Sequence, residues 1–112
     1  MAVRRAEAAD ELAVCRTLYD FAAAIDTRDW DLYRSVFTDE IDLDYSSYRP
    51  GSAGRIRADD WVERGRVLFT GLDASQHCLF NPRVTVNGSA AEVFVYIRAE
   101  HLTGPRLLVQ LL

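Results

Sequence analysis

Apolar positions in the first half of the chain recur at helical spacing. Steps of three and four residues predict an amphipathic helix over residues 8–25. Its apolar stripe is Leu12, Cys15, Leu18, Tyr19, Ala22 and Ile25. A short second helix is expected after Thr27 or Asp29, either of which can cap it. The side chains on its buried side are Trp30, Tyr33 and Phe37. A third helix is predicted over residues 58–70, closed by Gly71.

The second half of the chain has the pattern of β-strands. Residues 41–45 alternate apolar and acidic side chains, which is the period of a half-buried strand. Residues 46–57 contain proline and glycine and are predicted to form a loop with a weak extended part. Asn87-Gly88, flanked by segments rich in valine, phenylalanine and tyrosine, strongly favours a two-residue hairpin turn. The later strands are predicted over 76–86, 90–101 and 106–112. This order predicts an α+β fold with helices covering one face of a sheet.

The length and charge of the chain limit its class. At 112 residues it is sized for one domain, 1–112, of which we expect residues 1–7 to be disordered. All 13 basic residues are arginine, and the formal net charge is −4. The absence of lysine excludes Schiff-base chemistry, a pyridoxal-phosphate anchor and a phosphate-loop lysine. The arginines are scattered, which argues against a nucleic-acid partner.

Location and metal binding follow from equally simple features. No apolar run approaches the ~20 residues needed to cross a bilayer, and the N-terminus lacks the apolar part of a secretory signal. We therefore expect a cytoplasmic protein without a membrane partner. Cys15 and Cys78 lie far apart and are expected to be buried apolar side chains. The two cysteines and two histidines lack the spacings of a zinc site, and no metal is expected.

Three residues are candidates for proton transfer. Asp26 continues the apolar stripe of the first helix, where a carboxylate is costly to bury without a partner. The alternative is that Asp26 caps the turn into the next helix. His77 and His101, the only histidines, lie on predicted strands and carry the side chains that titrate near neutral pH. Taken singly, a strand histidine is more often structural than catalytic. Paired with a buried acid, it would form a carboxylate-oriented general base.

Aromatic side chains form a second group of candidates. Tyr45 can donate a hydrogen bond to a developing oxyanion, or it can belong to the core with its hydroxyl at the rim. Other aromatic residues can line a pocket, although such positions are core more often than not. The candidate substrate-binding residues are Tyr19, Tyr48, Trp61 and Phe69. Arg28 and Asp31 are predicted to form a surface ion pair of small energetic value.

Four segments of the chain resemble one known family. The run Tyr-Asp-Phe-Ala-Ala-Ala-Ile-Asp-Thr-Arg-Asp-Trp-Asp at 19–31 resembles an opening that recurs in the SnoaL-like branch of the NTF2-like superfamily. Similar segments follow at 43–48, 75–78 and 96–101, so the resemblance covers residues 8–112. Within this branch, the scytalone dehydratase group is the nearest.

The resemblance implies a cone-shaped fold in which a curved antiparallel sheet and three helices enclose a pocket. Asp26 matches the family's buried helix-end aspartate, and His77 matches the histidine that it orients as a general base. His101 matches a second pocket histidine, and Tyr45 matches a tyrosine that polarises the substrate carbonyl. Tyr48 matches an aromatic pocket wall. No metal or organic cofactor is implied for elimination or for an enol shift.

The chain departs from this family in two places. Ile25 stands where scytalone dehydratase has a second polarising tyrosine, which removes support for a two-tyrosine clamp on the carbonyl. The chain also ends inside what corresponds to the penultimate strand, so one or more C-terminal strands of the family are expected to be missing. The unpaired edge predicts either association through that edge, as a homodimer or higher homo-oligomer, or a truncated sequence.

Strand parity gives one further prediction. A strict two-residue turn at Asn87-Gly88 would put Arg98 beside His77 and would turn His77 and His101 to opposite faces. Both histidines reach the pocket only if a β-bulge shifts the parity between them. Asn81-Pro82 is the natural place for that bulge, and we predict it there.

These observations predict a cofactor-independent lyase or isomerase of the dehydratase type, which uses Asp26 and His77 on a hydrophobic cyclic or aromatic oxygenated small molecule. One alternative is a non-catalytic ligand-binding module, or a protein like the small subunit of ring-hydroxylating dioxygenases. Such a protein would fill the pocket with large hydrophobic side chains and lack the hydrogen bond between Asp26 and His77. Another alternative is a dehydrohalogenase or a polyketide cyclase-like enzyme. Pocket shape separates these functions, and sequence does not.

Overall fold

The structure is a computed structural model that describes the backbone of residues 2–104 and 106–111 and the side chains of residues 8–104. Helices come first and a run of antiparallel strands follows, which confirms the predicted α+β class. The helices are α1 (Ala2–Thr27), α2 (Trp30–Ser35) and α3 (Ala58–Thr70). The strands are β1 (Glu40–Leu43), β2 (Gly54–Arg57), β3 (Ala74–Asn87), β4 (Ala90–Thr103) and β5 (Arg106–Leu111).

Several element boundaries differ from the predicted ones. The backbone of α1 is helical from Ala2, earlier than the predicted start at residue 8. The side chains of residues 1–7 lie outside the described part, and their expected disorder stays a prediction. Strand β1 ends at Leu43, so Tyr45 follows the strand instead of closing it. Among the described residues, none of the helices has the length and hydropathy that a membrane-spanning segment needs.

The strands form two antiparallel sheets. β1 pairs with β2, which arises from the weakly extended part of the predicted loop. β3, β4 and β5 form the larger sheet in that order. Asn87 pairs with Ala90, so the hairpin turn is Gly88–Ser89, and the prediction of Asn87-Gly88 was wrong by one residue. Gly88 has a positive φ of 60°, which a type II′ turn requires at its first central position and which glycine adopts freely.

The β-bulge predicted at Asn81-Pro82 is confirmed. Phe80 pairs with Tyr96, whereas Arg83 pairs with Phe94, so the register shifts between these pairs. Asn81 adopts a positive φ of 53°, a conformation that asparagine tolerates better than most residues. The extra residue changes which face each later side chain of β3 occupies.

The core lies where α1, α2 and α3 meet. Its buried members are Ala24, Ile25, Tyr33, Val62 and Phe69. Asp29 caps α2, because its Oδ1 accepts a hydrogen bond of 3.0 Å from the Leu32 backbone N–H. At Gly65 a Cβ atom would lie 3.2 Å from the Tyr33 ring, so glycine permits the close approach of α3 to α2. Burial raises the pKa of Tyr33 to about 12.

Four side chains are more exposed than the sequence predicted. Leu12 is 57% exposed and Tyr19 is 46% exposed, although both belong to the predicted stripe of α1. Cys15 and Cys78 are free thiols and only half-buried. The reason is that only the C-terminal part of α1 is covered, and the periodicity of a helix does not reveal how far the opposite layer extends beneath it.

Candidate functional site

The last turn of α1 brings Asp26 against the beginning of β3. The Nδ1 atom of His77 lies 2.7 Å from Oδ1 of Asp26, and the His77 backbone N–H donates to Oδ2 over 2.7 Å. The histidine side chain is only 8% exposed and the aspartate side chain 22%. Two contacts from one residue fix the position of this carboxylate against the strand, and the interpretation of Asp26 as a simple helix cap does not account for them.

The contact geometry defines the tautomer of His77. A carboxylate only accepts hydrogen bonds, so the proton of the Nδ1 contact belongs to the histidine. In the neutral form of this ring the second nitrogen, Nε2, carries a lone pair, and the side chain lines a cavity. An imidazole held in this way is a general base whose protonated form the aspartate stabilises.

His101 shares this face of the sheet. Because of the bulge, His77 pairs with Ala99, and His101 lies two residues further along the same strand as Ala99. The two imidazole ring centroids are 5.9 Å apart, and the Phe69 ring lies edge-on to both, at 5.5 and 5.3 Å. Arg98 pairs with Cys78, so the pairing of Arg98 with His77 that an unbroken ladder would have given does not occur.

The surroundings of His101 keep its ring neutral. Its Nε2 atom is buried and has no hydrogen-bond partner among the described residues. Burial lowers the pKa of His101, and the neighbouring His77 and Arg28 lower it further, while the Asp26 carboxylate opposes them. His101 also lines the cavity, and a neutral imidazole has one donor and one acceptor nitrogen to offer there.

A cavity of about 780 Å³, partly open to solvent, lies between the helices and the sheets. His77 and His101 reach it from β3 and β4. Aromatic and aliphatic side chains form much of its wall, while the loop before β2 and several arginines complete it. The apolar lining residues are Phe21, Ile25, Tyr33, Leu43, Tyr45, Tyr48, Ile56, Trp61, Leu68, Phe69, Ile97 and Ala99.

The candidate aromatic residues have separate places in the structure. Tyr45 stacks on Trp61 with ring centroids 5.9 Å apart, and burial raises the pKa of Tyr45, so its phenol stays a hydrogen-bond donor. Trp61 and Phe69 also line the cavity, as does Tyr48 although it is 63% exposed. Tyr19 is not among the lining residues, because it lies on an exposed part of α1. The structure thus places Tyr19 apart from the other candidate substrate-binding residues, and its role in binding stays a prediction.

Two residues of the site were missed by the sequence reasoning. Ser75 donates from Oγ to Oδ1 of Asp26 over 3.0 Å. Arg28 donates from Nη1 to the same Ser75 oxygen over 2.9 Å and to the Ile25 carbonyl over 2.7 Å. The expected surface pair of Arg28 with Asp31 is therefore wrong. The available signal was the position of Ser75, two residues before His77 and hence on the same face of the strand.

No trio of metal-ligating side chains comes together within residues 8–104, the part whose side chains the structure describes. The proton-transfer candidates gathered at the cavity are the Asp26 carboxylate, the imidazoles of His77 and His101 and the Tyr45 phenol, with the Arg28 guanidinium behind the carboxylate. Together they can move protons at the wall of the cavity.

The fold and this site define a member of the NTF2-like superfamily. The SnoaL-like domain family matches residues 6–109, and the chain belongs to that family. Among proteins with curated descriptions, none matches the chain.

Solved structures share the fold at low sequence identity. The Kfla4162 protein of Kribbella flavida has a TM-score of 0.87 and 22% identity, over 94% of this chain and 76% of that one. A candidate scytalone dehydratase of Novosphingobium aromaticivorans has a TM-score of 0.77 and 15% identity, over 95% and 69%. A candidate NTF2-like dehydratase of Streptomyces avermitilis has a TM-score of 0.71 and 16% identity, over 94% and 80%. At these identities the likeness concerns the fold alone.

Proposed function

We propose that the protein is a cofactor-independent lyase or isomerase of the dehydratase type, which acts on a hydrophobic cyclic or aromatic oxygenated molecule. The observation that carries the proposal is the 2.7 Å contact between His77 Nδ1 and Asp26 Oδ1 at the wall of an open cavity. A carboxylate-held imidazole beside an apolar cavity is suited to removing a proton from carbon.

In the proposed reaction, a cyclic ketone bearing a β-hydroxyl group lies against the aromatic wall. His77 Nε2 takes the proton from the carbon between the carbonyl and the hydroxyl-bearing carbon. The electron pair of the C–H bond forms the new C=C bond, and the C–O bond of the leaving hydroxyl breaks. The proton held by His77 passes to that hydroxyl, which departs as water, so no cofactor or external acid is consumed. Asp26 stabilises the imidazolium between the two proton transfers.

The other candidate residues take supporting roles in this proposal. Tyr45, kept protonated by burial, donates a hydrogen bond to the carbonyl oxygen as negative charge develops there. His101, which lines the cavity beside His77, hydrogen-bonds the leaving oxygen. Tyr48, Trp61 and Phe69 provide apolar contact area for the ring of the substrate.

The site geometry favours an enzyme over a non-catalytic domain of the same fold. A dioxygenase small-subunit-like protein was expected to fill its pocket and to lack the contact between Asp26 and His77. The cavity of about 780 Å³ and the 2.7 Å contact support the catalytic alternative. The same base can also expel a halide or form an enolate for ring closure, so the dehydrohalogenase and cyclase alternatives differ from the proposal only in the substrate.

Dehydration of 3-hydroxy-1-tetralone to 1-naphthol tests the proposal directly. This probe is a hydrophobic cyclic β-hydroxy ketone, and its product is fluorescent. The wild-type protein should accelerate its dehydration. Asp26→Asn and His77→Ala should each lower kcat by about 10²- to 10⁴-fold, the usual contribution of a positioned general base.

Arg66→Gln is the matched control. Arg66 bonds Glu63 on the exposed face of α3, so its loss removes an arginine and an ion pair without touching the cavity. This variant should keep the wild-type rate. Wild-type rates in both Asp26→Asn and His77→Ala, with folding verified by circular dichroism, would contradict the proposed function. Cytoplasmic location and homo-oligomerisation stay predictions, and sedimentation of the full chain tests the latter.

A further inference from the structure

Arg28 occupies a backbone conformation that favours glycine. The chain leaves α1 through a pair of hydrogen bonds, from Arg28 N–H to the Ile25 carbonyl at 3.2 Å and from Asp29 N–H to the Ala24 carbonyl at 2.9 Å. This pattern is the Schellman motif, and it puts Arg28 at the position after the helix end with a φ of +61°. Glycine is the usual residue there because any Cβ atom is disfavoured in the left-handed region.

The Arg28 side chain uses this conformation to reach the site. Its Nη1 atom donates to two acceptors, the Ile25 carbonyl at 2.7 Å and Ser75 Oγ at 2.9 Å. The guanidinium carbon also lies 5.8 Å from the centre of the Phe69 ring, the ring that contacts both histidines. A strained residue whose side chain ends beside the reactive groups indicates that something other than helix termination maintains it.

The chain of hydrogen bonds has one direction, which the donor-only guanidinium of Arg28 and the acceptor-only carboxylate of Asp26 fix from its two ends. A guanidinium can only donate, so Ser75 Oγ must accept from Arg28 and turn its own proton elsewhere. That proton points to Oδ1 of Asp26, 3.0 Å away. The carboxylate then receives donors from Ser75 and from the His77 ring, and the Nδ1–H tautomer of His77 is the one that completes the set.

We propose that Arg28 is a positioning residue of this site, which acts through Ser75 and Asp26 to hold His77 in the tautomer with Nε2 free for proton abstraction. This role rests on the proposed function, because a fixed tautomer matters only where His77 acts as a base. The protein accepts an unfavourable residue at the helix end in order to place a donor-only cation behind the carboxylate.

The charge of Arg28 has a second effect on the same site. The groups that face His101 are Asp26 at the end of α1, His77 on β3 and Arg28 in the turn. Arg28 opposes protonation of His101, whereas Asp26 favours it. The guanidinium therefore helps to keep the second imidazole neutral, as a hydrogen-bonding group in the cavity should be.

Nitrogen-15 NMR of the imidazoles tests the inference without any substrate. The chain has two histidines, so each ring gives an assignable set of signals once His101→Gln is compared with the wild type. The variants are Arg28→Gly and Arg28→Asn, both suited to the left-handed conformation, together with Ser75→Ala and Ser75→Thr. Arg66→Gln is the control, as before.

We expect Arg28→Gly, Arg28→Asn and Ser75→Ala to convert the Nδ1–H signal of His77 into a mixture of tautomers, because Oδ1 of Asp26 is then no longer held against the ring by the Arg28–Ser75 pair. Ser75→Thr should restore it, because threonine keeps the hydroxyl. The titration midpoint of His101 should move to higher pH in both Arg28 variants and less in Ser75→Ala, which keeps the guanidinium. The melting temperature of Arg28→Gly should equal or exceed that of the wild type, since glycine removes the strain. In Arg28→Gly, Arg28→Asn and Ser75→Ala, the kcat for 3-hydroxy-1-tetralone should fall about tenfold at unchanged KM.

A merely structural role for Arg28 predicts no change in the histidine signals. In that case Arg28→Gly and Ser75→Ala would leave the His77 tautomer and the His101 midpoint unchanged, and this result would overturn the inference. If Arg28→Gly fails to fold, the His77 signal in Ser75→Ala alone tests the inference. The NMR signals test the positioning role, and the rate of turnover tests the proposed function. Altered histidine signals with full activity in Asp26→Asn would reject the proposed function and leave the positioning role intact.

Discussion

The β3–β4 hairpin has two halves with the same kind of strand pairing and very different surroundings. We call residues 74–80 with 96–103 the hairpin base, and residues 83–94 the hairpin tip. In the base, Ala99 is 3% exposed and the side chains of His77 and His101 face the cavity beneath α1. In the tip, Phe94 is 60% exposed and lines an open surface depression of about 500 Å³.

This contrast shows that pairing of strands alone does not make a site. Both halves satisfy their backbone hydrogen bonds in one antiparallel ladder. Only the base is covered by a second layer, so only there are titratable groups removed from water and their properties altered. The bulge at Asn81-Pro82 separates the halves and sets which side chains of the base face the covered side.

The largest effect should come from deleting the aromatic ring of α3 that covers the two histidines of the base. Phe69 is 8% exposed and packs against both histidines, so Phe69→Ala should lower the free energy of unfolding by about 3–5 kcal/mol. Phe94→Ala removes the same number of atoms at the tip and should cost less than about 1 kcal/mol. Urea unfolding at neutral pH measures both. Equal losses would mean that the tip is covered in solution and that the contrast between the halves is wrong.

The bulge itself should give an intermediate effect. Asn81 has a φ of 53°, where a β-branched residue is strained and glycine is not. Asn81→Val should therefore destabilise the fold by about 1–2 kcal/mol, while Asn81→Gly stays within about 0.5 kcal/mol of the wild type. Val93→Thr, a substitution at the tip, controls for general changes in β propensity. If Asn81→Val is neutral by urea unfolding, the positive φ does not support the register of the base.

Much of the fold could be predicted because its signals are local or periodic. Helical spacing placed α2 and α3, and the requirement that two histidines share a face located the bulge at Asn81-Pro82. The turn at Gly88–Ser89 was missed by one residue, because Asn-Gly favours a type I′ turn while glycine in first place serves a type II′ turn equally well.

The contact between Asp26 and His77 could be predicted from the sequence, whereas the contact between Arg28 and Ser75 could not. Asp26 and His77 are recognisable as an acid at a helix end and a histidine at a strand start. The contribution of Arg28 depends on a left-handed backbone conformation, which sends its side chain toward Ser75 instead of toward Asp31. Residue type does not reveal that conformation, because arginine rarely adopts it. The exposure of Tyr19 could not be predicted either, since its place in the apolar stripe says nothing about how far the opposite layer extends.

The smallest effect concerns the pH dependence of stability and distinguishes the base from the tip by titration. Burial holds the pKa of His101 below the ordinary value of 6.5, so near and below that pH the unfolded chain binds more protons than the folded one. Stability should therefore decline as the pH falls through about 6.5. His101→Gln removes the titrating ring, keeps a hydrogen-bonding side chain and should flatten this part of the curve.

Urea unfolding between pH 5 and 8 measures that slope, and Thr85→Gln at the tip is the matched control because it adds the same side chain to an exposed strand position. The control should follow the wild-type curve. A steeper decline in His101→Gln than in the wild type would mean that protonation of His101 stabilises the fold. The attraction of Asp26 would then outweigh burial and the positive charge of Arg28, and His101 would act in the cavity as a cation.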